Sequence, residues 1–439
     1  MSHKAALLQK IERHSATVGV IGLGYVGLPL ALAFADRGMR VLGFDVDPDK
    51  TVALNAGRSY IQHIAAERVR AVVETERFSA TAAFDQLAQC DIMIICVPTP
   101  LTETRDPDLS YVASTSEQIA KVLRPGQLVV LESTTYPGTT DELVCEILQR
   151  NGLVSGRDFY LAFSPEREDP GNERYSTTTI PKVVGGCDVD AGDIAEALYA
   201  QVISRVVRVS SAAAAEATKI TENVFRAVNI ALVNELKVVY ERMGIDVWEV
   251  LDAAATKPFG YMRFNPGPGW GGHCIPLDPF YLSWKAREHG VDTKFIELAG
   301  EINRGMPFYV IERLQLALNA RKKSVNGSRV LLLGMAYKKD VGDTRESPAY
   351  PIAQRLLALG AQLGYHDPLV SELPDTRSWP GHPDLRSLPL TAELLSAQDA
   401  VVIVTDHSGV DYALVLEHAG LIVDARGVYR SVHPKVVKA

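Results

Sequence analysis

The sequence predicts an α/β protein: two doubly wound, Rossmann-like domains joined by a long central helix and a helical domain. Three observations carry this. A strand–glycine turn–helix unit opens the chain, and a second apolar strand ending in glycine begins at residue 329. Between them, residues 211–243 contain neither Gly nor Pro. The chain has 439 residues, and a single core rarely grows beyond about 250–300, so two or three domains are expected.

Residues 17–22 (TVGVIG) form the first strand, followed by Gly22, Gly24 and Gly27 and an apolar helix from about Leu28 to Arg37. The next strand is 40–45 (RVLGFD). A strand–helix–strand unit of this length makes a parallel sheet. Buried strands are also expected at 91–97, 128–132 and 160–163, and residues 1–210 become one domain. The 211–243 helix would run about 50 Å at ~1.5 Å per residue. It stops at Gly244, a good helix C-terminal residue, and opens a central domain of 211–320. Strand-like runs at 329–334 (RVLLLG), 362–365, 400–404 and 421–423 make a second sheet domain of 321–439.

The formal net charge is −8, which argues against non-specific nucleic-acid binding by the whole chain. The five cysteines (Cys90, Cys96, Cys145, Cys187 and Cys274) are odd in number, and no pair has metal-ligand spacing. No metal site or disulfide framework is expected, and a reducing compartment is. No run approaches the roughly 20 apolar residues of a membrane span, and the first residues lack a signal-peptide core. A cytoplasmic protein is expected.

The glycine turn sits between a strand and a helix, where a G-x-G-x-x-G pattern has physical meaning. Gly22, Gly24 and Gly27, with Tyr25 and Val26 between them, let backbone approach a pyrophosphate at a helix N-terminus. Asp45 ends the next strand, where a carboxylate bonds a ribose 2′-hydroxyl and repels a 2′-phosphate, so NAD is favoured over NADP. A glycine turn that merely packs a helix on a strand is the alternative.

Residues 265–279 (NPGPGWGGHCIPLDP) are a shaped loop, not a helix or strand. Cys274 sits in it, with His273 before it and Asp278 four residues after. Crowded glycines point to backbone N–H groups held near an anion or a developing oxyanion. Lys219 and Asn223 share one face of an otherwise apolar helix, where they are costly unless used. A solvated stripe is the alternative. Glu166 lies in a loop after a strand (FSPEREDPG), as do Thr99 and the trio Ser133, Thr134 and Thr135. Hydroxyls there bond a cofactor or substrate, or cap a turn.

GLGYVGLPLA, CVPTP, ESTTYPGTT, FSPEREDPG, the Lys219/Asn223 helix, GGHCIPLDP and KKDVGDTRESP occur in one order. Together they resemble the UDP-glucose/GDP-mannose dehydrogenase family over about residues 15–430. The resemblance implies an NAD-binding domain, a central domain that dimerises, and a C-terminal domain for the nucleotide sugar. It implies a four-electron oxidation with two NAD+. Cys274 matches the nucleophile that forms a thiohemiacetal and then a thioester. Lys219 matches the cation at the oxyanions, Asn223 its partner, and Asp278 the carboxylate ordering Lys219 and a water. Glu166 matches the acid of thioester hydrolysis, and Thr134 a hydroxyl near the reacting centre and the cofactor. Arg345 matches a cofactor contact and Lys338 a substrate contact.

UDP-glucose and GDP-mannose members typically carry GGSC followed by Lys-Asp. Here His273 replaces the Ser and Leu277 precedes Asp278. That departure looks most like members acting on 2-acetamido sugars, UDP-N-acetylglucosamine first, in surface-polysaccharide pathways. Its N-acetylgalactosamine and N-acetylmannosamine counterparts, and UDP-glucose, stay open. Arg263, Asn265 and Gly271 are expected substrate contacts. Two other classes compete. A two-electron β-hydroxyacid dehydrogenase would lack the second sheet domain and need no cysteine. A non-catalytic nucleotide-sugar-binding protein would tolerate loss of Cys274.

Overall fold

The computed structural model describes residues 2–61, 64–102, 106–167, 178–272, 275–376 and 379–439. They fall into two compact units: Met1–Glu222 with Trp284–Val291, and Asn223–Ser283 with Asp292–Ala439.

The first unit is built on eight strands: β1 Thr17–Ile21, β2 Arg40–Phe44, β3 Phe78–Thr81, β4 Ile92–Ile95, β5 Leu128–Leu131, β6 Tyr160–Phe163, β7 Lys182–Gly186 and β8 Val206–Arg208. Their order is β3-β2-β1-β4-β5-β6-β7-β8. β4 (IMII), β5 (LVVL) and β6 (YLAF) are buried at every residue. Parallel strands covered on both faces have this all-apolar composition. The expected parallel sheet holds except at one place: β7 runs antiparallel to β6, a pairing that needs no crossover helix. The winding reverses at β1, whose neighbours are β2 and β4. In such sheets ligands bind beyond the carboxyl ends of the strands at that point. Gly22, Asp45, Thr99, Thr134 and Glu166 all follow the carboxyl ends of strands here. The helix Gly27–Asp36 after the glycine turn is buried from Gly27 through Ala35.

The long helix is Ala212–Arg242. Its first turns belong to the first unit and the rest, from Asn223, to the second. The second unit also holds the helices Val247–Ala254, Asp278–Glu288 (through Ser283) and Lys294–Ala320. Its sheet is formed by β9 Arg329–Leu333, β10 Gln362–His366, β11 Ala400–Ile403, β12 Ile422–Asp424 and β13 Val436–Lys438. They are all parallel, in the order β10-β9-β11-β12-β13.

The two sheets share a local plan. β1 ends at Gly22 and β9 at Gly334, with φ of 93° and 88°, values glycine adopts without strain. The acid after the second strand then accepts from the turn after the first. Asp45 accepts from Leu23 N at 3.0 Å, and Asp367 from Met335 N at 2.7 Å and Ala336 N at 3.1 Å. No helix among the described residues is long and apolar enough to cross a membrane.

Candidate active site

Each glycine of the first turn has its own reason. A Cβ on Gly22 would lie 2.5 Å from Cys96 O, and one on Gly27 would lie 1.9 Å from Gly22 O. These two positions close the turn and seat the helix on the strand. A Cβ on Gly24 would meet nothing within 4 Å, so its bare backbone faces open space. That is the arrangement a dinucleotide pyrophosphate requires of the three positions. Tyr25 is 42% exposed at the mouth of the turn, and Val26 precedes the helix. Asp45 is buried and accepts from Leu23 N and from Asp47 N at 3.0 Å each. Lys50 pairs with it at 3.3 Å. The loops after β4 and β5 are tied together: Thr99 Oγ1 donates to Thr134 O at 2.7 Å, and Ser133 Oγ to Val97 O at 2.7 Å.

The long helix brings Lys219 to Glu166. Lys219 Nζ lies 2.5 Å from Glu166 O and 3.4 Å from Glu166 Oε2, and both side chains are buried. Charges taken out of water need this pairing. One turn earlier on the same face stands Glu216, which has no exposed surface and which sequence reasoning missed. It accepts from Gly138 N at 2.6 Å, Thr140 N at 2.9 Å and Thr140 Oγ1 at 2.7 Å. It thereby fastens the turn that follows Thr134 and opens into a single π turn, Thr140–Val144. Such turns often mark functional positions. The signal was present: Glu216 is three residues before Lys219, on one helix face.

Burial raises the Glu216 carboxyl from 4.5 to about 7, against hydrogen bonds that lower it. Its folded state therefore keeps a proton that the unfolded chain releases near pH 4.5. With the folded pKa above the unfolded one, this carboxylate makes the protein less stable as pH rises from about 4.5 through 7. The loss reaches about 3 kcal/mol at the high-pH end. Glu216→Gln cannot ionise, so its thermal midpoint should fall less between pH 5 and 8 than that of the wild type. Parallel curves would show that the group does not titrate there.

In the second unit Asn223 Nδ2 donates to Asp278 Oδ2 at 2.5 Å, both side chains buried. Before Asp278, Gly271 and Gly272 pack without room for a side chain. A Cβ on Gly271 would lie 2.7 Å from Tyr337 Cβ, and one on Gly272 2.8 Å from Tyr337 Cε2. Gly272 N donates to Arg345 O at 3.1 Å. Cys274 and His273 lie outside the described residues. Arg345 is exposed, and its guanidinium pairs with Asp343, Nε lying 3.0 Å from both carboxylate oxygens. Arg263 pairs with Asp252 and donates from Nε to Asn265 Oδ1 at 3.0 Å. Lys338 is half-buried beside Tyr337.

Two further cations, the buried Lys237 and the half-buried Arg426, were not legible. Lys237 Nζ reaches Gly267 O at 3.2 Å and Ala439 O at 2.5 Å, and burial pushes it down to about 7. Arg426 donates from Nε to Val404 O at 2.7 Å, and a Cβ on Gly267 would lie 2.7 Å from its Nη1.

A pyrophosphate-shaped glycine turn, a bracing acid at the next strand end and a buried Lys–Glu pair beyond the same sheet edge define a dinucleotide-dependent oxidoreductase. Residues 16–203, 213–305 and 331–431 match the NAD binding, central and UDP binding domains of the UDP-glucose/GDP-mannose dehydrogenase family. The chain belongs to that family, and it is an NAD-dependent nucleotide-sugar dehydrogenase. It is 38% identical over 356 residues to a UDP-N-acetyl-D-glucosamine 6-dehydrogenase of Pseudomonas aeruginosa, covering 81% of this chain and 83% of the relative. Among solved structures it is similar to a UDP-D-ManNAc dehydrogenase of Pyrococcus horikoshii, with TM-score 0.87, 31% identity, and 96% and 98% of the two chains covered. It is also similar to an NDP-N-acetyl-D-galactosaminuronic acid dehydrogenase of Methanosarcina mazei, with TM-score 0.81, 32% identity, and 100% and 97% covered.

Proposed function

We propose that the protein oxidises C6 of a UDP-2-acetamido-hexose, UDP-N-acetylglucosamine first, to the uronate through a thioester on Cys274. The balance is one CH2OH, two NAD+ and one water giving one carboxylate, two NADH and three protons. NAD supplies the hydride acceptor for each of the two oxidations. The observation that carries the chemistry is the buried Lys219–Glu166 pair. An ammonium in a water-poor site stabilises an oxyanion far better than it would in water. Lys219 would hold the alkoxide of the alcohol and then that of the thiohemiacetal. Cys274 would attack the C6 aldehyde as thiolate, so the aldehyde stays bound between the oxidations. Glu166 would take the proton of the water that opens the thioester. Asp278, held by Asn223, would orient that water, with Thr134 beside the reacting carbon. Gly22, Gly24, Tyr25, Val26, Gly27, Asp45, Thr99 and Arg345 would bind NAD. Arg263, Asn265, Gly271 and Lys338 would bind the UDP-sugar. Residues 1–210, 211–320 and 321–439 would be the cofactor, central and nucleotide-sugar domains.

The relative named for UDP-N-acetyl-D-glucosamine supports that sugar. The Pyrococcus horikoshii structure supports UDP-N-acetylmannosamine as the second reading. The test is NADH counted per sugar consumed, with UDP-GlcNAc, UDP-ManNAc, UDP-GalNAc, UDP-glucose and GDP-mannose in parallel. Two NADH per UDP-GlcNAc, with the other sugars slower, is the expected result. One NADH per sugar would sink the thioester reading.

The same reading includes a homodimer. Phe225, Leu232 and Val239 recur at seven-residue spacing along the long helix and are 48%, 49% and 43% exposed. An apolar stripe of this kind suits a second helix. Leu232→Glu should shift the sedimenting species from dimer to monomer at micromolar concentration. A wild type that already sediments as a monomer would remove the dimer.

A further inference from the structure

Glu166 is gripped through its backbone as well as through its side chain. Lys219 Nζ lies 2.5 Å from Glu166 O, the carbonyl that follows its Cα. The carbonyl that precedes it, Pro165 O, lies 3.3 Å from Lys182 Nζ. Peptide groups are planar. Fixing the planes on both sides of one Cα fixes φ and ψ there, and with them the direction of the side chain.

Lys182 is 8% exposed and Glu132 2%, and they pair at 2.9 Å. The other oxygen of Glu132 accepts from the hydroxyl of Tyr199, which has no exposed surface. Lys182 Nζ also lies 4.9 Å from the centroid of the Tyr199 ring. The three N–H groups of this ammonium thus have a carboxylate, a carbonyl and a ring face. A small, half-open pocket is lined by Glu132, Glu166, Arg167 and Lys182, with Val26 and Leu30 at the nucleotide helix beside them. The pair and Glu166 therefore line one small pocket. The rest of the turn is already held by ordinary contacts. Ser164 Oγ donates to Val183 O at 2.8 Å, and Arg167 Nη1 to Pro181 O at 2.7 Å. A buried ion pair is a poor way to add stability, because desolvation offsets most of the attraction. Stability alone does not explain it.

We propose that Lys182, clamped by Glu132 and Tyr199, is a positioning residue that aims Glu166 at the reacting centre by holding the Pro165 carbonyl. The proposal rests on the catalytic role given to Glu166 above. It assigns Lys182 no contact with substrate.

The test uses the full-length enzyme and two variants. Lys182→Met leaves Glu132 buried and unpaired, and its fold suffers. Glu132→Gln/Lys182→Met removes both charges at similar volume and should recover the thermal midpoint. Active sites are counted by the amplitude of the first-turnover NADH burst. In the double variant, turnover per active site should fall about 10- to 100-fold, the range of a misplacement near 1 Å. kcat/KM for the UDP-sugar should stay within about two-fold, because binding and the first oxidation precede the hydrolysis that Glu166 serves, so KM falls together with turnover. A crystal structure of the double variant should show the 164–167 turn displaced from Lys219. Turnover per active site within about two-fold of wild type, or an unmoved turn, would overturn the proposal. The wild type run alongside separates this from the larger reading. Fewer than two NADH per sugar in the wild type ends the four-electron assignment, while the position of the turn still decides the role of Lys182.

Discussion

Cys274→Ser should form no uronate at a measurable rate, with turnover down on the order of 10⁴-fold or more, the scale on which enzymes lose activity with their nucleophile. The argument is chemical. The first oxidation needs a base and an oxyanion site but no thiol. The second needs a tetrahedral adduct at C6 that can give up hydride. A thiolate adds to the aldehyde readily; a serine hydroxyl, with a pKa far above that of a thiol, does not. The variant should therefore stop after the first oxidation. Its NADH yield should saturate at or below one per active site, and the substrate should remain as alcohol or bound aldehyde. Ser is close to Cys in size, so NAD affinity and thermal midpoint should be unchanged, and a folded, cofactor-binding, uronate-dead enzyme is the expected outcome. Uronate formed at the wild-type rate would refute the covalent step and leave a sequential oxidation through the aldehyde hydrate.

The centre of each sheet and one edge, β10, were legible, and the other edges were not. β4, β5, β9 and β11 are apolar runs almost wholly buried, because parallel strands covered on both faces leave no polar position to dilute the pattern. β3, β8 and β13 end their sheets. They are three or four residues long and only partly buried, so FSAT, VVR and VVK do not separate from loop. β7 hides for another reason: it reads KVVGG. A Cβ on Gly185 would lie 2.0 Å from Ser211 O, and one on Gly186 2.3 Å from Gly192 N. Close backbone approach demands glycine and erases the strand signature. The site divides the same way. Lys219 and Asn223 stand out because a polar pair four apart breaks an apolar helix. Glu216 did not, since AAAAEATK reads as an ordinary helix start. Glu132 and Lys182 are 50 residues apart, and only the adjacency of β5, β6 and β7 brings them together. No local pattern carries such a pair.

Lys219→Met should reduce turnover about 10²- to 10³-fold, the cost of losing one preorganised charge at a developing oxyanion. KM for the UDP-sugar should change little. Unlike the Lys182 variants, it should slow the first oxidation as well as the release of uronate, because the alkoxide of the alcohol depends on the same ammonium. Single-turnover NADH formation therefore separates the two lysines. Stability is a second consequence. Lys219 and Glu166 are both buried, and removing one member of a buried pair costs about 3–5 kcal/mol, since the other charge is left without a partner. A fall in activity caused only by unfolding would recover in Lys219→Met/Glu166→Gln, in which neither charge remains. The expected result is the opposite split: the thermal midpoint returns toward wild type while turnover stays low. Recovery of turnover together with the midpoint would reduce the Lys219–Glu166 pair to a structural brace. The oxyanion would then have to be held by the backbone N–H groups of the glycine loop around Gly271.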